Sequence, residues 1–145
     1  MSSILPLGRA FNLGRTASGG NVRHNLRDAS GAMFLVDTPA NASTLTLKEA
    51  NAASGGTIQT LTAGPTNAEY YTQSAGVWTR VTSGISNGVI TVSGTPDLLA
   101  VFVNQGQLSD GFAYVTADHS AKVTNVILAD LDVQRKPANL RDVRA

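Results

Sequence analysis

The chain has 145 residues, 42% of them apolar and only 14% charged, with a net charge of +1 and no cysteine. That length suits one domain with its own core, and the missing cysteines exclude a disulfide framework and thiolate-held zinc or iron–sulfur. The charge is segregated: Arg9, Arg15, Arg23 and Arg27 against Asp28 make residues 1–32 basic (+3), residues 33–133 carry −5, and residues 134–145 return to +3 through Arg135, Lys136, Arg141 and Arg144 against Asp142.

Basic ends flanking an acidic body favour an acidic surface or nucleic acid as partner for the ends. The charged fraction lies below the roughly 25% of ordinary soluble domains, which suits a protein that stays bound to neighbours. No apolar run approaches the roughly 20 residues that span a bilayer, and the N-terminus lacks the pattern of a secretory signal. No membrane association and synthesis in the cytoplasm are therefore the expectation.

Residues 1–31 are rich in glycine and dispersed arginine, with Ile4, Leu5, Leu7, Phe11, Leu13, Val22 and Leu26 in no sustained period. They read as an extended N-terminal arm that gains order on a partner, with a single helical turn possible over Arg23–Asp28. The domain proper starts at Ala32 with the apolar run Ala32–Asp37, bounded by Thr38-Pro39. Thr44–Leu47 alternates Thr with Leu and reads as a strand, although Lys48-Glu49-Ala50 also suits a helical turn. Thr57–Thr62, Glu69–Gln73 and Val77–Thr82 follow as β-type runs separated by glycine-containing breaks.

Asn87-Gly88, between Ser86 and Val89–Val92, is the strongest hairpin signal, because both residues tolerate positive φ. Asp97–Val103 and Phe112–Ala117 read as a second hairpin with a longer loop over Leu108–Gly111. The final strand, from Lys122, has Val123, Ile127, Ala129, Leu131 and Val133 on one face, assigned to the core. Val126 and Leu128 fall on the opposite, nominally wet face and imply cover by another layer or subunit. Pro137 then ends any ladder.

The spacing predicts an all-β fold: an antiparallel, jelly-roll-like β-sandwich of about 8–9 short strands over residues 32–133, with extended arms at 1–31 and 134–145. No repeat of fixed period is present.

Chemistry-bearing patterns are sparse. Asp118-His119-Ser120 holds the residue types of a hydrolase triad, but successive residues on a strand alternate in direction and cannot form the relay, so a cap or turn is the better reading. Asp130 and Asp132 share a strand face, a thin ligand set for calcium, and His24 and His119 belong to no zinc motif. The glycine-rich Gly14–Gly20 lacks the Gly-Lys-Ser/Thr end of a phosphate loop. Asn41-Ala42-Ser43 matches a glycosylation acceptor and is explained by chance. Four arginines over about thirty residues, with Phe11 the sole aromatic among them, make a weak nucleic-acid footprint. The expectation is no enzyme activity, no cofactor, no metal and no nucleic-acid partner.

Four stretches, Thr44-Leu45-Thr46-Leu47-Lys48-Glu49-Ala50, Glu69-Tyr70-Tyr71-Thr72 with Val77-Trp78-Thr79, Ser109-Asp110-Gly111-Phe112-Ala113-Tyr114-Val115, and Leu131-Asp132-Val133-Gln134-Arg135-Lys136-Pro137-Ala138-Asn139-Leu140, carry a resemblance across most of the body and tail. With them the chain resembles the small capsid decoration, or cement, proteins (minor capsid proteins) of tailed bacteriophages of actinobacterial hosts. The resemblance implies a virion structural protein on the capsid exterior, assembled in the host cytoplasm, bound to an HK97-type major capsid protein and to its own copies, with a trimer as the first expectation. The contact residues expected are Arg9, Phe11, Leu13, Arg15, Arg23 and Arg27 in the N-terminal arm and Arg135, Lys136, Leu140 and Arg141 in the tail. The alternative is a tail or fibre module that binds a host-surface glycan, with Trp78, Tyr70 and Tyr71 as its stacking face.

Overall fold

The computed structural model of the chain describes residues 10–27, 29–62, 70–82 and 85–131. Twelve strands occupy them: β1 (Ala10–Thr16), β2 (His24–Asn25), β3 (Ala29–Asp37), β4 (Thr44–Ala50), β5 (Ile58–Thr60), β6 (Tyr70–Ser74), β7 (Val77–Val81), β8 (Ile85–Ser86), β9 (Val89–Thr91), β10 (Leu98–Asn104), β11 (Tyr114–His119) and β12 (Thr124–Leu131). Among the described residues one 3-10 turn, Gln105–Gln107, follows β10.

The strands form two antiparallel sheets packed face to face, as the sequence predicts. The first runs β1-β12-β3-β10-β6-β7; the second runs β2-β11-β4-β9-β8, with β5 also paired to β4. The pairs are nested: β3 with β12, β4 with β11, β6 with β10 and, innermost, the β8–β9 hairpin, alternating between the two sheets. This is the pairing of a long hairpin rolled over itself, the jelly-roll arrangement.

The core lies between the sheets. Phe34, Val36, Leu99, Val101 and Val126 of the first sheet meet Leu45, Leu47, Ile90, Val115 and Ala117 of the second, all essentially without solvent contact. Each large apolar side chain buried here contributes about 1.5–3 kcal/mol relative to exposure.

Local turns follow the residue chemistry. Asn87 (φ 49°) and Gly88 (φ 73°) close the β8–β9 hairpin as the sequence predicts. Gly88 is needed twice, since a Cβ there would stand 2.7 Å from the Leu61 carbonyl oxygen. Its own carbonyl accepts from Leu47 N–H at 2.8 Å, and Leu47 O accepts from Leu61 N–H at 3.0 Å, so the side of β4 away from β11 passes from β9 to β5 without a break. At the β6–β7 turn Ala75 (φ 49°) and Gly76 (φ 79°) repeat the device, with Ala75 N–H donating to Asp97 Oδ2 at 2.8 Å.

Four expectations are corrected. First, the sheets take in residues assigned above to the arm. β1 pairs with β12 from Ala10 opposite Ala129 to Thr16 opposite Thr124, β2 pairs with β11, and Leu26 is fully buried. Backbone pairing at a sheet edge needs no side-chain period, so residues 10–16, whose apolar side chains follow no sustained alternation, carried little signal. Second, no helical turn forms at residues 23–27. His24-Asn25 is a strand, and Asn25 Oδ1 accepts the Arg27 N–H at 2.9 Å in an Asx turn.

Third, β10 and β11 do not form a hairpin: β10 lies between β3 and β6, whereas β11 lies between β2 and β4 in the other sheet. Fourth, the faces of the last strand are exchanged. Thr124, Val126 and Leu128 are buried in the core, and Ile127 and Ala129 lie half-buried on the outside. Alternation identifies two faces, but where both are apolar it does not say which one turns inward.

Candidate interaction surface

The outer face of the first sheet departs most from an ordinary solvated surface. Strand register lines its residues up in three cross-strand rows. One joins Ile127, Met33 and Phe102. The next runs across all six strands, Arg15, Asn125, Leu35, Ala100, Tyr71, Arg80. The third joins Asp37, Leu98, Gln73 and Trp78.

Residues opposite one another across strands share a face, so these side chains make one surface, apolar in the middle with arginine at both lateral ends. Phe102, Tyr71 and Trp78 are 37%, 40% and 46% exposed. A solvated antiparallel face normally alternates to polar residues, so this aromatic and aliphatic face, in which Met33, Leu35 and Ile127 are half-buried and Ala100 buried, is the candidate interaction surface.

Sequence reasoning found Tyr71 and Trp78 but missed Met33, Leu35, Arg80 and Phe102. The signal was available. Ala32–Val36 and Leu98–Val103 are continuous apolar runs, the composition of strands covered on both faces.

The expected contact residues are dispersed. Arg15 is exposed on this face. Arg23 Nη1 instead donates to Ala52 O at 2.7 Å and Gly55 O at 2.5 Å, holding the β4–β5 loop, and Arg27 lies 6.0 Å from the ring centroid of Tyr114 on the second sheet. The arginines of residues 10–27 are therefore not gathered into one patch. Phe11 and Leu13 lie on β1, opposite Leu128 and Ile127. Arg9, Arg135, Lys136, Leu140 and Arg141 lie outside the described residues.

Of the proposed stacking residues, Tyr70 points into the core, where burial pushes its phenol above the ordinary value, while Tyr71 and Trp78 share the outer face.

The Asp118-His119-Ser120 side chains take three separate partners. Asp118 Oδ1 accepts Gly19 N–H at 2.7 Å, and Ser120 Oγ accepts Thr44 N–H at 3.1 Å. His119, fully buried, accepts Ala121 N–H at 3.1 Å and Lys122 N–H at 2.9 Å on Nδ1. With Nδ1 an acceptor, Nε2 carries the hydrogen and donates to Ser43 Oγ at 3.0 Å, whose hydroxyl donates to Ala40 O at 2.5 Å. The ring pins the β11–β12 turn to the start of β4.

Glu49 carried no expected site role in the sequence, yet it is fully buried. Its Oε1 accepts from Gln59 Nε2 and from Ser109 Oγ, each at 2.6 Å, and its Oε2 accepts the Ser109 N–H at 2.8 Å. Among the described residues no group of three or more metal-ligating side chains converges; Asp132 lies outside them. No helix among them is long and apolar enough to cross a membrane. Comparison with protein-family models, with curated proteins and with solved structures finds no match to this chain.

Proposed function

We propose that the chain is a capsid decoration protein, a virion structural component that binds the outside of an HK97-type shell through the outer face of its first sheet. The observation that carries this reading is that face: a surface of Met33, Leu35, Tyr71, Trp78, Phe102 and Ile127 with Arg15 and Arg80 at its ends. An apolar centre supplies affinity once covered, and arginines at its rim steer it towards an acidic partner. The sparse overall charge and the resemblance of the Thr44–Ala50, Ser109–Val115 and Leu131–Leu140 stretches point the same way. Many weak contacts repeated by shell symmetry then give avidity.

The test is co-sedimentation with particles assembled from the major capsid protein of the same virus. Saturable binding is expected, weakened at least tenfold by Phe102→Ser with Tyr71→Ser. Absence of binding, or binding indifferent to both changes, overturns the proposal. Because residues 10–16 belong to a sheet, a test of the N-terminal arm must stop at Arg9: deletion of residues 1–9 leaves every described strand in place.

One observation favours the second reading. Tyr71 and Trp78 are exposed, diagonal neighbours on one sheet face beside Gln73, an arrangement that can stack on a saccharide. A glycan array with the full chain separates the two, since a decoration protein shows no saccharide selectivity.

A further inference from the structure

We infer that β7 pairs antiparallel with β7 of a second copy of this chain, about a two-fold axis midway between the two Thr79 residues, joining two first sheets into one. The inference goes beyond the capsid reading and does not rest on it, because the contact needs no other protein.

The sheet edges differ. On the second sheet the edge strands β2 and β8 are two residues long and β5 three. On the first sheet β1 is longer but irregular between Phe11 and Leu13. Short strands and bulges are ordinary ways of keeping an edge from pairing. β7 has neither. Val77-Trp78-Thr79-Arg80-Val81 holds five consecutive regular pairs with β6, contains no glycine or proline, and among the described residues ends the sheet order. Val77 is 66% exposed and Thr79 is also exposed.

The backbone selects the register. Ser74 and Val77 close a two-residue hairpin and so form a hydrogen-bonded pair; alternation then turns the backbone groups of Trp78 and Arg80 away from β6. An antiparallel copy must match those positions. Centred on Trp78, the register places Arg80 opposite the turn residue Gly76. Centred on Arg80, it sets like charges opposite each other, which is destabilising.

Centred on Thr79 it uses all five residues, placing Val77 opposite Val81, Trp78 opposite Arg80 and Thr79 opposite itself. Trp78 and Arg80 point to the outer face, where an indole and a guanidinium stack favourably. The strand is thus complementary to itself in one register. The joined sheet also makes the aromatic outer faces of the two copies continuous.

Sedimentation equilibrium of the full chain tests this. The mass is expected to rise from one copy to two as concentration passes through roughly 100 µM, as for small interfaces. Thr79→Lys and Thr79→Glu should each be monomeric at that concentration, and their equimolar mixture should regain the dimer, because only the Thr79-centred register sets residue 79 against itself. Trp78→Pro removes an N–H directed away from β6 and should also be monomeric. A wild type that stays monomeric, a Thr79→Lys or Trp78→Pro variant that dimerises like wild type, or a mixture that stays monomeric overturns the inference.

Discussion

Replacing Glu49 tests the reading of the interior most directly. Its carboxylate is fully buried and receives three donors, Gln59 Nε2, Ser109 N–H and Ser109 Oγ, at 2.6–2.8 Å. In Glu49→Ala, the Gln59 amide and the Ser109 hydroxyl can turn towards water, whereas the backbone N–H of Ser109 is fixed and left without an acceptor. Ser109 is half-buried, so its stranded N–H falls towards the lower end of the about 1–3 kcal/mol that a buried donor costs, and each lost hydrogen bond costs about 0.5–1.5 kcal/mol net. Release of a buried charge offsets part of that, so Glu49→Ala should lose about 3 kcal/mol.

Glu49→Gln keeps an acceptor for Ser109, and the Gln59 amide can flip to meet the new NH2, so about 1 kcal/mol is expected. Urea unfolding followed by far-ultraviolet circular dichroism reads this as a midpoint shift of about 1.5–2 M for Ala. Hydrogen exchange at the Ser109 amide should accelerate in the Ala variant more than at Leu99, since the carboxylate ties the β10–β11 crossover to β4 and β5. A Glu49→Ala protein within about 0.5 kcal/mol of wild type would refute the reasoning.

Two further outcomes are expected. His119 titrates below the ordinary histidine value of 6.5, chiefly because burial disfavours the imidazolium, with Lys122 adding to the effect and Asp118 opposing it. The unfolded chain then binds the extra proton first, so stability is full above pH 6.5 and is lost as pH falls towards the lowered folded value; His119→Gln should remove that slope from a pH series of urea midpoints, and an unchanged slope contradicts the assignment. Gly14→Ala would put a Cβ 2.5 Å from His24 Cε1, so the packing of β1 over His24 must give way, at about 1–3 kcal/mol in the same unfolding assay; full tolerance would show that β1 is not seated on the core.

The all-β class, the strands from Ala32 onward and the Asn87-Gly88 hairpin were all readable in the chain, because each depends on short-range chemistry: β-branched and aromatic runs, glycine breaks, and residues that accept positive φ. The interaction surface was half legible. Tyr71 and Trp78 stood out as aromatics, but Tyr70 looked equivalent to Tyr71 until the register sent one ring into the core and the other outside.

The tertiary structure alone decided matters of partnership and facing. It decided that residues 10–16 complete a sheet, that β10 and β11 part to different sheets, and that Val126 and Leu128, not Ile127 and Ala129, turn inward. It also decided that Glu49 is a buried tie. Local sequence sets how a strand alternates and where it can bend; which face is inward and which edge is paired follow from contacts between residues far apart in the chain, and a strand apolar on both faces leaves that choice to its neighbours.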